Sequence, residues 1–250
     1  MSNGTATCNY MGRTGNRLFQ MAATIGYALD HNKQFVFPKW EWQKYMPVKE
    51  GEIKGTLVVE ESLRYTRFPF VEGDVTIHGH LLSTKYFNHH KKYIVEYFKL
   101  TPEWEEYIEK KYERLFLANT CSIHIRRGDF MLPEQMACQG LMPLEYYNEA
   151  IGKIWDTPYN EWLFIVCSDD IPWCKENFKG EHFYFIENEP AIIDLFIMSM
   201  CNDNIISNSS FGWWAAYLNQ SPNKRVVAPR QWFKDTEGWD DLYEKNWIKI

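Results

Sequence analysis

Residues 121–130 read CSIHIRRGDF, an apolar run that ends in a histidine, two arginines, a glycine and an aspartate. Adjacent cations repel unless something anionic lies beside them, so Arg126 and Arg127 call for an anion. A guanidinium fork stays charged and holds two phosphate oxygens at once, which suits a diphosphate. Strand alternation puts His124 and Arg126 on one face and Arg127 on the other. Arg126 is therefore the expected ligand arginine. Arg127 is expected to pair with Asp129 or another carboxylate and brace the loop. His124 shares the face of Arg126, and its plainer role is that of a satisfied polar core residue.

Two further polar clusters follow apolar runs. Ser168–Asp170 (SDD) supplies Asp169 and Asp170, which could bind a base or ribose or could cap the helix beginning near Ile171. Ser207–Phe211 (SNSSF) precedes a helical stretch through Trp213 and Trp214, and Asn208, Ser209 or Ser210 can cap it. The first turn of such a helix offers free N–H groups and a positive dipole end, a natural seat for phosphate. Neither G-x-x-x-x-G-K-[ST] nor G-x-G-x-x-G occurs, and no metal-ligand spacing accompanies the clusters. A metal-independent diphosphate site is the chemistry that remains.

These clusters need strands and helices to position them. Thr5–Tyr10 reads as a strand, MGRTGN as a glycine turn, and Leu18, Ala22, Ile25 and Leu29 recur at helical spacing. Short strands are expected at 34–37 and Val75–Ile77, and a helix at Trp104–Phe116 with Thr101 as N-cap and Pro102 at its first position. The second half alternates regularly. Strands are expected at 122–125, 162–167, 183–186, 204–206 and 225–228, and helices at 144–154, 173–178, 192–201 and 211–219. Such alternation predicts an α/β fold with parallel sheets covered on both faces. The irregular first half and regular second half suggest two domains, 1–105 and 106–250. In open parallel sheets ligands bind beyond the carboxyl ends of the strands, where all three clusters fall.

Composition narrows the function class. A net charge of −6 in 250 residues disfavours a nucleic-acid partner, which would need a broad cationic face. No run approaches the ~20 apolar residues of a membrane span, and the first residues lack a signal-peptide pattern. The six cysteines show no C-x-x-C pair and four lie in apolar segments, so they are expected to be reduced and mostly buried, in a cytoplasmic setting. Eleven Trp and 15 Tyr add core volume and are also the rings that line carbohydrate or nucleotide sites.

With these motifs in view, the chain resembles the alpha-1,2-fucosyltransferases and their superfamily of alpha-1,6- and protein O-fucosyltransferases. HIRRGD matches the family's H-x-R-R-G-D, FIVCSDDIPWCKENF is similar to its second motif, and DLFIMSMCNDNIISNSSFGWWAAYLN to its third. PLEYYNEAI, HLLSTKYF and VVAPRQWF add to a resemblance spanning about residues 8–233. It implies a GT-B fold, two Rossmann-like domains facing across a cleft, with GDP-fucose held mainly by the second. It implies that Arg126 holds the β-phosphate, that His124 lies near the nucleotide or sugar, and that Ser209, Ser210 and Phe211 hold phosphates and guanosine. Asp169, Asp170 and Asp194 would be nucleotide contacts or supports.

The turn Gly12-Arg13-Thr14-Gly15-Asn16 resembles the family's G-x-x-G-N, so Gly12, Arg13, Gly15 and Asn16 would lie on the acceptor side, with Asn16 approaching the fucose. The implied activity is inverting transfer of fucose from GDP-fucose to a galactose-terminated glycan, with no cofactor or metal, by a soluble enzyme of bacterial or viral type. The turn reads closer to the G-R-F-G-N of the protein O-fucosyltransferases than to G-G-L-G-N, which keeps protein O- and alpha-1,6-transfer as alternatives. A nucleotide-sugar-binding module without turnover is the non-enzymatic alternative. No general base is evident.

Overall fold

A computed structural model describes residues 2–155, 162–234 and 239–250. The chain divides into two compact units, Met1–Trp104 with Gly238–Glu244, and Glu105–Glu237 with Lys245–Ile250.

The first unit holds β1 (Thr5–Cys8), α1 (Thr14–Asp30), β2 (Gln34–Phe35), β3 (Thr56–Val59), β4 (Val75–His78) and α2 (Lys91–Tyr97). Its four strands are parallel in the order β2-β1-β4-β3. The central strands turn Ala6, Cys8, Val75 and Ile77 into the core, where α1 also buries Leu18, Met21, Ala22 and Ile25. Sequence patterning misses β3, an edge strand whose Leu57 and Val59 are exposed. Residues 239–244 join this unit through Thr84 Oγ1, which donates to the Asp241 carbonyl at 2.9 Å, and the Lys85–Asp241 ion pair at 2.7 Å.

α3 (Pro102–Tyr112) begins at Pro102 as expected, but Thr101 Oγ1 makes no hydrogen bond and caps nothing. The second unit continues with β5 (Asn119–Ile125), α4 (Pro133–Cys138), α5 (Leu144–Ile154), β6 (Trp162–Ser168), α6 (Ile171–Asn177) and β7 (Phe183–Phe185). After these come α7 (Ala191–Ser199), β8 (Asp203–Ile205), α8 (Ser210–Leu218), β9 (Val226–Ala228) and β10 (Ile248–Lys249). The six strands are parallel in the order β10-β9-β8-β5-β6-β7. Counted within the unit, that is the 3-2-1-4-5-6 order of a Rossmann sheet, with the strand order reversing between β5 and β8.

The core packs Ile123, Ile125, Phe164, Val166 and Ile205 against Tyr147, Ala150 and Ile154 of α5. On the α7 and α8 side, three polar side chains stitch the layers. Asn204 Nδ2 donates to Ser122 Oγ at 2.7 Å and to the Met198 carbonyl at 2.8 Å, while Asn219 Nδ2 donates to the Cys201 carbonyl at 2.7 Å. Buried amides of this kind are tolerated because each donor is satisfied. All six cysteines are free thiols, and only Cys138 is exposed. Among the described residues no helix is long and apolar enough to cross a membrane.

Candidate functional site

The three polar clusters sit at the carboxyl ends of β5, β6 and β8, which are neighbours in the sheet. Parallel register brings those ends to one edge, and β5 and β8 flank the point of reversal, the position of ligand crevices in open α/β sheets. The polar motifs are thus brought together by topology, across 83 residues in the case of His124 and Ser207.

β5 ends at Ile125, so strand alternation stops one residue before the arginines. Both find carboxylates on the loop after β6, and of the two kinds of partner expected for Arg127 it takes the other carboxylate, Asp170. Asp129 is bound by Arg126, not Arg127. Arg126 also holds Asp169 at 2.7 Å, while Arg127 Nε holds Asp170 at 2.9 Å and its guanidinium lies 4.1 Å from the Trp173 ring centre. Arg127 is therefore the braced arginine, through a different carboxylate and an aromatic face. Its backbone N–H donates to Asp169 Oδ1 at 2.8 Å. A Cβ on Gly128 would lie 2.3 Å from Asp169 Oδ2, so a larger residue there would have to push aside the carboxylate that Arg126 holds.

Asp169 and Asp170 thus have structural commitments. Asp170 caps α6 by accepting from Trp173 N–H at 3.2 Å. Asp169 joins both halves of the RRGD loop to the β6 loop. These carboxylates hold Arg126 in place before any anion arrives, a preorganisation that costs nothing at the moment of reaction.

His124 is 5% exposed, and its Nδ1 shares a 3.0 Å hydrogen bond with Ser207 Oγ. Desolvation, helped by the Arg126 charge, pushes its pKa down to about 3, so the ring is neutral. It packs at 5.4 Å from the Phe211 ring, and a Cβ on Gly212 would meet its Nδ1 at 2.6 Å. Gly212 is thus the residue that lets α8 start against β5. The sequence places Ser207 in the third cluster but gives it no role, because nothing local links it to His124, 83 residues earlier.

Of the three candidate caps, Ser209 is the one used, accepting from Phe211 N–H at 3.4 Å. Ser210 opens the helix and, with Phe211, is half-buried. Asn208, one of the three candidate caps, is corrected: it does not cap α8 but is 2% exposed, and its Nδ2 donates to the carbonyls of Gln139 (2.9 Å) and Gly140 (3.2 Å), tying the 139–140 loop to the sheet. Asp194 lies in the first turn of α7, with its Oδ1 unpartnered among the described residues. Desolvation, then repulsion from Glu189, raises its pKa to about 8, so it is largely protonated at neutral pH.

In the first unit, the Gly12–Asn16 turn joins β1 to α1. Gly12 and Arg13 are exposed, Gly15 is buried and Asn16 half-buried. Arg13 occupies the N-cap position of α1 without a side-chain cap bond. Gln20, fully buried, clamps Met11 by accepting from its N–H at 2.9 Å and donating to its carbonyl at 3.3 Å. Arg17 Nε donates to the Gly12 carbonyl at 3.2 Å. At the other end of α1, Asp30, His89 and His90 place ligand atoms within 4.8 Å of one another, a grouping that could hold a cation. It lies about 21 Å along the helix from Asn16, at 1.5 Å per residue. The histidines already pair with Asp30 at 2.9 and 2.8 Å.

Residues 33–250 match the model of glycosyl transferase family 11. The O-antigen biosynthesis glycosyltransferase WbnK of Escherichia coli is 44% identical over 138 residues, 53% of this chain and 45% of that protein. An alpha-1,2-colitosyltransferase of Escherichia coli is 34% identical over 190 residues, 72% and 64% of the two chains. Galactoside alpha-(1,2)-fucosyltransferase 2 of Gorilla gorilla gorilla is 25% identical over 242 residues, 86% and 69% of the two. The chain thus spans about half to two thirds of the two bacterial relatives. Among solved structures, NodZ alpha-1,6-fucosyltransferase soaked with GDP-fucose superposes with a TM-score of 0.59 at 15% identity, covering 87% of this chain and 93% of that one. POFUT1 in complex with GDP gives 0.59 at 13% identity, covering 91% and 98%. At such identities the likeness is one of fold.

Proposed function

This chain belongs to glycosyl transferase family 11, and we propose that it transfers L-fucose from GDP-fucose to a galactose-terminated glycan in alpha-1,2 linkage, inverting the anomeric centre without a metal ion. The observation that carries the reading is the convergence of HIRRGD, SDD and SNSSF at the reversal point of a Rossmann sheet, with Arg126 held there by Asp129 and Asp169. In this reading the two sheets are the halves of a GT-B enzyme, the second binding the donor.

A β-linked donor giving an α-linked product requires one displacement. The acceptor hydroxyl attacks the anomeric carbon and loses its proton to water or to the departing phosphate, the bond to the β-phosphate oxygen breaks, and the bonding pair leaves with GDP. Negative charge grows on the β-phosphate, where Arg126 and the start of α8 stabilise it. A metal commonly neutralises such a leaving group; in this reading those two replace it. Ser209, Ser210 and Phe211 contact phosphate and guanosine. His124, neutral and walled by Phe211 and Gly212, is a hydrogen-bonding partner beside Arg126, not an acid. Asp169, Asp170, Arg127 and Asn208 support the donor loops from behind. Asn16 serves the acceptor side by hydrogen bonding to the incoming hydroxyl.

A second reading keeps the mechanism and changes the sugar. The similarity to an alpha-1,2-colitosyltransferase favours a donor whose hexose lacks the 3-hydroxyl of fucose. Incubation with GDP-fucose or GDP-colitose and a panel of β-galactosides, followed by linkage analysis of the product, tests both. An alpha-1,2-fucosylated product is expected. Turnover of GDP-colitose alone selects the second reading, and turnover of neither nucleotide sugar refutes both.

A further inference from the structure

The segment WEWQKYMPV (40–48), between β2 and β3, forms no helix or strand, yet it is braced throughout. Trp40 N–H donates to Glu50 Oε1 at 2.8 Å, and Trp40 Nε1 donates to the Met46 carbonyl at 3.1 Å. Gln43 pairs with the Val48 backbone in both directions, at 3.0 and 2.8 Å. Tyr45 and Met46 N–H both donate to the Trp42 carbonyl, at 2.8 and 2.9 Å. Surface connections are usually the loosest part of a domain, so a rigid one points to side chains that must be presented in fixed positions.

Two of those side chains meet the Gly12–Asn16 turn. Trp42 Nε1 donates to Thr14 Oγ1 at 2.9 Å, and Glu41 Oε2 accepts from Arg17 NH1 at 2.5 Å. Arg17 is the same residue that holds the Gly12 carbonyl, and its guanidinium lies 5.4 Å from the Tyr10 ring centre. The two tryptophans of the loop differ. Trp40 is 1% exposed and fills the core, whereas Trp42 is half-buried, with Tyr45 against its edge at 6.1 Å. The indole N–H is satisfied by Thr14, so the ring is fixed in orientation and what it still offers to solvent is apolar. A partly open indole beside a carboxylate, a guanidinium and exposed turn backbone suits a pyranose. The C–H face of the sugar stacks on the ring, and its hydroxyls hydrogen-bond to the charged groups.

We propose that Trp42 is the stacking platform for the acceptor's sugar ring, with Glu41 accepting from its hydroxyls beside the turn that carries Asn16. This rests on the glycosyl-transfer reading above, and it goes beyond the acceptor turn by naming a specificity surface on a separate loop.

Steady-state transfer from GDP-fucose to lactose tests it in purified variants whose melting temperatures are first compared with wild type. Trp42→Ala is expected to raise the KM for lactose by about 20-fold, the order expected for losing one stacked ring face, while the KM for GDP-fucose moves less than about twofold. Trp42→Phe keeps a stacking face without the N–H, and Thr14→Val keeps the ring without its anchor. Each frees the ring's orientation but keeps a face to stack on, so each should raise the KM for lactose by about three- to fivefold, clearly less than Trp42→Ala. Saturation-transfer NMR with lactose should show its ring C–H protons in contact with wild type and Trp42→Phe but not with Trp42→Ala. An unchanged lactose KM in Trp42→Ala overturns the proposal, as does equal damage from all three substitutions, which would make Trp42 only a brace. Wild-type enzyme that releases fucose from GDP-fucose but transfers none to lactose overturns the platform's galactoside ligand and leaves the donor reading standing. Wild-type enzyme that does neither refutes fucosyl transfer itself.

Discussion

Replacing each arginine of HIRRGD by lysine separates leaving-group stabilisation from loop bracing. Arg126 spends NH1 on Asp169 at 2.7 Å and NH2 on Asp129, and in the proposed reading its remaining N–H groups serve the phosphate. A lysine has one compact ammonium in place of that planar fork. It can stay with the two carboxylates or reach a phosphate, but its geometry does not serve both. Loss of a positioned donor to a developing anion typically costs about 10²–10³ in kcat, or ~3–4 kcal/mol, and Arg126→Lys is expected to fall in that range with folding retained. Arg127 is 15% exposed in its side chain, pairs with Asp170 at 2.9 Å and stacks on Trp173 at 4.1 Å. Arg127→Lys loses the fork and most of the stacking, so it should cost about 1–2 kcal/mol of stability. That corresponds to a melting temperature lower by roughly 2–8 °C in a chain of this size. Its kcat should remain within about tenfold of wild type, since the brace acts on position and not on charge. The assay is initial-rate turnover of GDP-fucose alongside a melting curve for each variant. Folded, inactive Arg127→Lys beside near-normal Arg126→Lys would refute the assignment and the donor site built on it.

Three further outcomes follow from the same site. Turnover should survive EDTA, since Arg126 and the start of α8 are assigned the leaving-group charge; a strict need for magnesium or manganese in the chemical step contradicts that assignment. GDP at a hundred times its dissociation constant should add about 2.7 kcal/mol of stability, seen as a raised melting temperature, while UDP at equal concentration should not; equal protection by both counts against guanosine contacts. Asp194 has a folded pKa near 8 against 3.8 for an unperturbed carboxyl, so its stabilising contribution is complete below about pH 4 and is lost as pH rises towards 8. Asp194→Asn should therefore become more stable relative to wild type as pH rises through that window, by at most about 1.4 kcal/mol per pH unit, and the difference should level off above it. A stability difference that does not change between pH 5 and 8, measured by urea unfolding, would show that Asp194 ionises normally.

The sequence alone determined the α/β class, the parallel sheets and the three chemical clusters. Apolar runs, glycine turns and helical spacing are local signals, readable within a window of about 10–20 residues. The motif residues were legible for the same reason: His124, the two arginines, SDD and SNSSF each follow a recognisable strand. Tertiary structure decided everything that joins distant segments. It set the β10-β9-β8-β5-β6-β7 order that makes the motifs neighbours, and it added the edge strand Thr56–Val59, whose exposed side chains give no burial pattern. It gave Asp129 to Arg126 and Asp170 to Arg127, because strand alternation ends at Ile125 and loop geometry governs from there. It took Asn208 from the cap of α8 to the 139–140 carbonyls, 69 and 68 residues away in the chain. It made His124 neutral, since a ring buried beside Arg126 loses the solvation that would stabilise its charge. Ion pairs and desolvation depend on distance in space, and a linear pattern carries no record of which carboxylate will be within 3 Å of which guanidinium.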